Sequence, residues 1–256
     1  MKMMKRIIDK ILRPKVLLVL GLLVIVIIGG IYFWLRQSLP PEEEVYSYLE
    51  GDENIEVAAT EAEIKFWPRE RLENSRGIIF YPGPQVEAAA YAGLAWSLAE
   101  EGYPVILAEM PFQMAVLNWS RAGEIIEAHD EIESWVLAGH SLGGAMGVRF
   151  IDRSRPADVE ALILLASYPR QSADISEKDL DVLSLYGSED EVIDRERLQE
   201  RKELLPPDAR LEELEGANHA GFGQYGEQGG DGKAEISGSE QRRQTVELII
   251  EFIQGD

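Results

Sequence analysis

The sequence predicts an α/β protein in which helices cover both faces of a mostly parallel sheet. Short apolar runs typical of buried strands alternate with stretches of helical periodicity from residue 57 onward. A glycine-rich turn joins one of these runs, 135–138, to the helical stretch that begins at residue 142. The 256 residues are enough for one domain of this class with a buried core.

Each apolar run predicts a strand, and each amphipathic run predicts a helix. The predicted strands are 57–59, 63–67, 77–81, 105–108, 135–138, 160–165, 182–186 and 210–214. The predicted helices are 87–101, 120–133, 142–151, 194–204 and 241–253. Ser120 is a candidate N-cap for the second helix. The segment 167–181 between two of the predicted strands is too short to form a separate domain, so we expect this edge of the sheet to be open.

The first 35 residues predict a membrane anchor. The run from Val16 to Leu35 has no charged side chain, and a helix of that length spans about 30 Å, the thickness of the hydrocarbon core of a bilayer. Six Lys or Arg side chains precede the run, which favours a cytoplasmic N-terminus. A cleaved signal peptide is the alternative, but its apolar core is normally shorter, and no convincing cleavage site follows near residues 37–39.

We therefore predict a cytoplasmic basic segment 1–15, a transmembrane anchor 16–35, a linker 36–53 and an extracytoplasmic α/β domain 54–256 at the cell membrane. Residues 1–36 carry a net charge of +6, and since the whole chain carries −21, the remainder carries −27. A domain this acidic repels nucleic acid, which we exclude as a partner. The absence of cysteine excludes disulfides and thiolate nucleophiles. We predict neither a metal site nor a cofactor.

The turn that follows the apolar run 135–138 predicts a nucleophile. It reads Gly139-His140-Ser141-Leu142-Gly143-Gly144 and fits the pattern G-x-S-x-G. This pattern places a serine on a strained strand-to-helix turn, where its hydroxyl stands clear of the sheet edge. The backbone N–H of Leu142 then begins the next helix and faces developing negative charge. Ser141 is therefore the candidate nucleophile, and Leu142 is a candidate oxyanion donor.

A serine hydroxyl needs a base, and the base needs a carboxylate that orients it. In proteins with this turn the chain order is Ser, then acid, then His. His219 is the only histidine after Ser141, and it follows the last predicted strand. We choose Asp190 as the acid because it follows the preceding strand. Three close rivals are Glu189, Glu191 and Asp194.

The second oxyanion donor is expected from the loop 82–85, which follows the strand 77–81. Pro84 has no N–H and cannot donate. The backbone N–H of Gln85 is our choice, and that of Gly83 is a weaker alternative.

Several segments together resemble the small, lidless α/β-hydrolases akin to dienelactone hydrolases, a group also described as alpha/beta hydrolase fold-5. The resemblance covers roughly residue 77 to the C-terminus and is carried by Tyr81-Pro82-Gly83, Met110-Pro111-Phe112, 139–144 and the long stretch 216–232 around the histidine. It implies an α/β-hydrolase fold without a cap domain, a Ser141–His219–Asp190 triad and esterase-like activity. The chain departs from the family where Pro84 replaces a second glycine.

We expect the protein to be a membrane-anchored serine hydrolase that cleaves a small-molecule carboxylic ester or lactone through an acyl-enzyme. The alternatives are an acyltransferase or amidase with the same triad, or a non-catalytic tethered module. Met110 and Phe112, after a strand end, and Phe222, near the histidine, are candidate substrate-binding residues. Apolar residues at such positions are equally compatible with the core.

Overall fold

The computed structural model of the protein describes residues 14–35, 37–70, 76–154 and 158–255. The chain divides into two compact units, one that ends at Ser38 and one that begins at Leu39. Most of the predicted basic segment, residues 1–13, lies outside the described residues.

The first unit contains helix α1, Pro14–Leu35. Its stretch Pro14–Phe33 is long and apolar enough to cross a membrane, and none of it is buried within the protein. Length and composition alone support this role, and a signal sequence near the N-terminus would have the same properties.

The second unit is built on an eight-stranded sheet, which confirms the predicted mostly parallel architecture. Its strands are β1 Ile55–Ala59, β2 Glu63–Pro68, β3 Gly77–Tyr81, β4 Val105–Ala108, β5 Trp135–His140, β6 Val159–Leu165, β7 Asp181–Gly187 and β8 Arg210–Leu214. The strand order is β1-β2-β4-β3-β5-β6-β7-β8. Strand β2 runs antiparallel to both β1 and β4, whereas all the other neighbouring pairs are parallel. The carboxyl ends of β3 and β5–β8 therefore lie along one edge, where ligands bind in such sheets.

Five α-helices flank the sheet. They are α2 Ala92–Glu100, α3 Arg121–Ala128, α4 Leu142–Ser154, α5 Arg195–Arg201 and α6 Gly238–Gln254. Residues of α2 and α6 pack into a core on one face of the sheet, which includes Leu98 and Ile249. Residues of α3 and α4 pack into a core on the other face, which includes Ile125 and Phe150.

Several predicted helix boundaries change for local reasons. The chain from Ala88 to Tyr91 is a 3₁₀ helix, so α2 begins later than predicted. Helix α3 ends at Ala128 because His129 leaves the helical conformation. Ser120 precedes α3, but its hydroxyl donates to Asn118 Oδ1 at 3.2 Å and makes no capping hydrogen bond.

Part of the predicted linker belongs to the folded unit. Leu39 pairs with Val86, and Glu43–Leu49 forms a 3₁₀ helix whose Val45 is fully buried in the core. Acidic residues and prolines surround this short apolar stretch, which explains why composition alone indicates a linker. Between β6 and β7 the residues 166–180 form neither a helix nor a strand, as expected for a fold without a cap domain.

Candidate active site

Ser141 lies at the sharp turn between β5 and α4, in a left-handed backbone conformation with φ = 53°. Its N–H donates to the Leu165 carbonyl at 2.9 Å, at the end of the neighbouring strand β6. Its own carbonyl accepts from the Ser167 hydroxyl at 2.6 Å and from the Ala145 N–H at 3.2 Å. These bonds hold a non-glycine residue in a conformation that costs on the order of 1 kcal/mol.

Close approaches of the backbone explain why glycines stand on both sides of Ser141. A Cβ atom on Gly143 would collide with the carbonyl oxygens of Tyr81 and Pro82, in the loop after β3. A Cβ atom on Gly139 would lie 2.6 Å from the Gly144 nitrogen across the turn. The missing side chains therefore let α4 begin directly against the β3 loop.

His219 and Asp190 form a buried pair. His219 follows β8, Asp190 follows β7, and Nδ1 of the imidazole lies 2.8 Å from Oδ2 of the carboxylate. Only 2% of His219 and 3% of Asp190 are exposed. The other carboxylate oxygen, Oδ1, accepts from the N–H groups of Val192 and Ile193 at 2.9 and 2.8 Å. Because the carboxylate is fixed on both sides, it holds the imidazole in one orientation.

The three rival acids have other surroundings. Asp194 caps helix α5 and accepts from the Arg197 N–H at 3.0 Å. Glu189 accepts from the Ser188 hydroxyl at 3.0 Å, and Glu191 is exposed. Of the four candidates, Asp190 alone contacts His219 in the described part of the chain.

Ser141 and His219 line the same cavity, which has a volume of about 260 Å³. Leu142 and Ser167 also line it, and Val192 and Ile193 contribute apolar surface. The structure thus places Ser141 and His219 at one cavity and Asp190 against His219, although the three residues are far apart along the chain. They are the side chains that the sequence predicts as nucleophile, base and acid, and they have the chemical types that acyl transfer requires.

The loop that carries His219 is held by two side chains that the sequence does not single out for this task. The carboxylate of Asp231 accepts from the N–H groups of His219 and Ala220 at 3.2 and 2.8 Å. The fully buried amide of Gln241 bonds to both the N–H and the carbonyl of Asn218. The position of Asp231 between two glycines would also fit cation binding, but in the structure its oxygens are used by the backbone of the loop.

A second buried histidine lies beside the first. The rings of His140 and His219 have centroids 4.6 Å apart. Nδ1 of His140 lies 2.8 Å from the Tyr91 hydroxyl, which accepts the Gly83 N–H at 3.0 Å. Burial raises the pKa of Tyr91 well above its usual value, so this hydroxyl keeps its one proton and donates it to His140.

The protonation state of His140 follows from its surroundings. Burial is the main cause that lowers the pKa of His140 well below its usual value, and the charge of a protonated His219 acts in the same direction. His140 is therefore neutral at physiological pH and supports the β3 loop rather than exchanging protons.

The structure gives the expected second oxyanion donor, the Gln85 N–H, a different hydrogen-bond partner. The Gln85 N–H donates to the Gln113 carbonyl at 2.8 Å, in the loop after β4, and Gln85 itself has φ = 58°. The alternative donor, the Gly83 N–H, is used by Tyr91. Leu142 keeps the position expected of a donor, because it is the first residue of α4 and its N–H has no acceptor within the helix.

The three candidate substrate-binding residues lie away from the cavity beside Ser141. Met110 and Phe222 are 5% and 4% exposed and belong to the two cores, and neither lines the cavity beside Ser141. Phe112 is 40% exposed on the loop after β4 and does not line that cavity either. The loop turns outward there, since both Phe112 and Gln113 adopt left-handed backbones.

The cavity is instead lined by residues from the loop after β6 and from α5, including Tyr168, Arg170 and Arg201. The position of Tyr168 and Arg170 after the carboxyl end of β6 was a sequence signal that could have indicated these two residues, and no comparable signal indicated Arg201. No cluster of three or more metal-binding side chains occurs within the ranges that the structure describes.

Comparisons with known proteins agree with this arrangement. Comparison with curated proteins gives no match. Among solved structures, the carboxylesterase CesB from Bacillus subtilis is similar with a TM-score of 0.58 at 12% identity, over 89% of this chain and 99% of that one. A dienelactone hydrolase from Anabaena variabilis is similar with a TM-score of 0.56 at 16% identity, over 77% and 98%.

A CIB-like hydrolase from Thermoplasma acidophilum has a TM-score of 0.54 at 19% identity, over 76% of this chain and 96% of that one. At these identities the likeness is one of fold. The model of the alpha/beta hydrolase family matches residues 77–243, which include the serine turn, the buried Asp190–His219 pair and most of the sheet. The chain therefore belongs to the alpha/beta hydrolase family.

Proposed function

We propose that this protein is a membrane-anchored serine hydrolase that cleaves a carboxylic ester or lactone outside the cytoplasm. One observation carries the proposal: His219, which is paired with the buried Asp190, lines the same cavity as Ser141, whose backbone is held in the left-handed conformation. A structural serine would need neither the strained turn nor a histidine oriented by a buried carboxylate.

In the proposed reaction, Ser141 Oγ attacks the carbonyl carbon while Nε2 of His219 accepts the hydroxyl proton. The imidazolium is stabilised by the carboxylate of Asp190 across the 2.8 Å hydrogen bond. The Leu142 N–H faces the oxyanion of the tetrahedral intermediate, which collapses as His219 returns its proton to the leaving alcohol. Water then attacks the acyl-enzyme with His219 again acting as base, and the acid is released.

An ester or lactone is the favoured substrate because an alkoxide is expelled more easily than an amide nitrogen. The short segment 166–180 leaves the cavity without a cap domain, so a small or extended substrate can enter. A carboxylesterase and a dienelactone hydrolase share this fold, which supports the same choice of bond.

Helix α1, which contains the predicted span 16–35, is the proposed anchor, with the basic segment 1–15 in the cytoplasm. Its apolar length matches a bilayer, and the positive charges that precede it favour this orientation. An alkaline phosphatase fused to the C-terminus should be active in intact cells and remain in the membrane fraction. Activity only in the cytoplasm, or release as a shortened soluble chain, would contradict the topology.

A fluorophosphonate probe tests the catalytic proposal directly. The wild-type protein should be labelled on Ser141, and Ser141→Ala should not be labelled. Ser239→Ala is the matched control and should be labelled like the wild type, because it removes an exposed hydroxyl that, among the described residues, bonds only to Ser237. If folded wild-type protein carried no label on Ser141, the proposed function would be wrong.

A further inference from the structure

The cavity beside Ser141 has an unexpected charge. Arg170 and Arg201 both line it, and none of the described residues that line it is Asp or Glu. The chain as a whole has 46 acidic residues and 25 Lys or Arg. A small positive site on so acidic a protein attracts anions locally, while the rest of the surface repels them.

Arg201 is held in place without a carboxylate partner. It is the last residue of α5, and its Nη1 donates to the Pro169 carbonyl at 3.0 Å. Its guanidinium lies over the ring of Tyr168, with Cζ 5.2 Å from the ring centroid. These contacts orient the group but leave most of its five N–H donors for another acceptor.

Arg170 lies on the loop after β6 and is exposed. Within the described ranges its side chain makes neither an ion pair nor a hydrogen bond, and Arg201 makes no ion pair either. Several arginines elsewhere on the domain form ion pairs, for example Arg76 with Glu160 at 2.8 Å and Arg210 with Glu251 at 3.0 Å. Arg170 and Arg201 differ from these because both line the cavity beside Ser141, and neither has a carboxylate partner among the described residues.

We propose that Arg170 and Arg201 bind an anionic group of the substrate, so that the preferred ester or lactone carries a carboxylate near the bond that is cleaved. The planar guanidinium of Arg201 can form paired hydrogen bonds with a carboxylate. Arg170, at the open side, attracts the anion and adds a weaker, solvent-screened contact. This inference rests on the proposed hydrolase function, because it assigns the substrate class of the same site.

The test compares two substrates that differ by one charge. One is the mono-p-nitrophenyl ester of adipic acid, and the other is methyl p-nitrophenyl adipate, in which the free carboxylate is methylated. The wild-type kcat/KM should favour the anionic ester by about tenfold to a hundredfold, the range that charge-assisted hydrogen bonds give. The preference should shrink as ionic strength rises. Equal rates, or a preference for the neutral ester, would overturn the proposal.

Variants assign the preference to the two side chains. Arg201→Gln should lower the ratio of the two kcat/KM values by about tenfold, and Arg170→Gln should lower it by about twofold to fivefold. Arg197→Gln is the matched control, since it removes one charge from the same helix at an exposed position paired with Asp194. An equal change in Arg197→Gln and Arg201→Gln would overturn the assignment.

A binding measurement separates this inference from the proposed catalysis. Monomethyl adipate should bind to Ser141→Ala in calorimetry, and Ser141→Ala/Arg201→Gln should bind it about tenfold more weakly. Absence of binding would overturn the anion site even if neutral esters were hydrolysed. Binding without labelling of Ser141 in the wild type would support the anion site and refute the catalytic proposal.

Discussion

The substitution Asp190→Asn tests whether the buried pair orients the base. Asparagine has the shape of aspartate, so its Oδ1 can still accept the two N–H bonds from Val192 and Ile193. Its Nδ2, however, is a donor that faces Nδ1 of His219, now 2.8 Å from a carboxylate oxygen. The imidazole must then carry its proton on Nε2, where it cannot accept the proton of Ser141.

The size of the effect follows from this geometry. A base in the wrong tautomer lowers kcat by about 10⁴-fold in serine hydrolases with such a triad, which is about 5.5 kcal/mol of activation free energy. The effect on the stability of the fold is much smaller, because one hydrogen bond to a charged group is replaced by a neutral one. We expect the free energy of unfolding to fall by about 1 kcal/mol and the melting temperature by about 2–4 °C.

The assay is the hydrolysis of p-nitrophenyl butyrate at pH 7.5, with the melting temperature measured on the same sample. Asp194→Asn is the matched control, because this nearby side chain caps α5 and asparagine is an equally good N-cap. Its kcat should match the wild type. If folded Asp190→Asn kept kcat within tenfold of the wild type, the reasoning would be refuted.

Three further substitutions test the support around the site. In the unfolded chain His140 is protonated below about pH 6.5, whereas burial lowers its pKa in the folded state. Below about pH 6.5 this residue should therefore lower the free energy of unfolding by about 1.4 kcal/mol per pH unit. In His140→Asn the new side chain can still accept from Tyr91. Urea titrations at several pH values should show that the free energy of unfolding of this variant depends on pH less steeply than that of the wild type, by about 1.4 kcal/mol per pH unit. An equal pH dependence would refute this. Gly143→Ala should displace the carbonyls of residues 81–82, lower the melting temperature by several degrees and reduce kcat at least tenfold, whereas wild-type kcat would contradict the close approach. Asp231→Ala should cost about 1–3 kcal/mol in urea unfolding because it leaves loop N–H groups without an acceptor, and an unchanged midpoint would count against that role.

The sequence predicted the parts of the site that depend on local chain geometry. The turn around Ser141 is recognisable because glycine is required where two backbones approach, and this requirement is visible in six consecutive residues. The alternation of strands and helices could also be predicted, because burial on both faces of a parallel sheet gives continuous apolar runs in its strands. The sequence limited the choice of acid to four carboxylates, of which it favoured Asp190, and in the structure the contact with His219 distinguishes Asp190 from the other three.

Features that depend on contacts between distant loops could not be predicted. The Gln85 N–H is paired with the Gln113 carbonyl, and no local signal connects these two loops. Apolar side chains after a strand end are equally compatible with a core or a cavity, which is why the sequence alone could not distinguish a substrate contact from a core position for Met110. The arginines of the cavity were missed because a charged residue on a loop is ordinarily a solvated surface group.

The docking of residues 39–49 decides where a soluble version of this protein should start. A version that begins at residue 54 would remove Val45 and expose the core surface that it covers, at a cost of about 1.5–3 kcal/mol. It would also free the Gln85 carbonyl from its 2.6 Å bond to the Leu39 N–H, in the loop after β3. Expression should therefore begin no later than Gln37, so that the segment after the apolar helix stays with the enzyme.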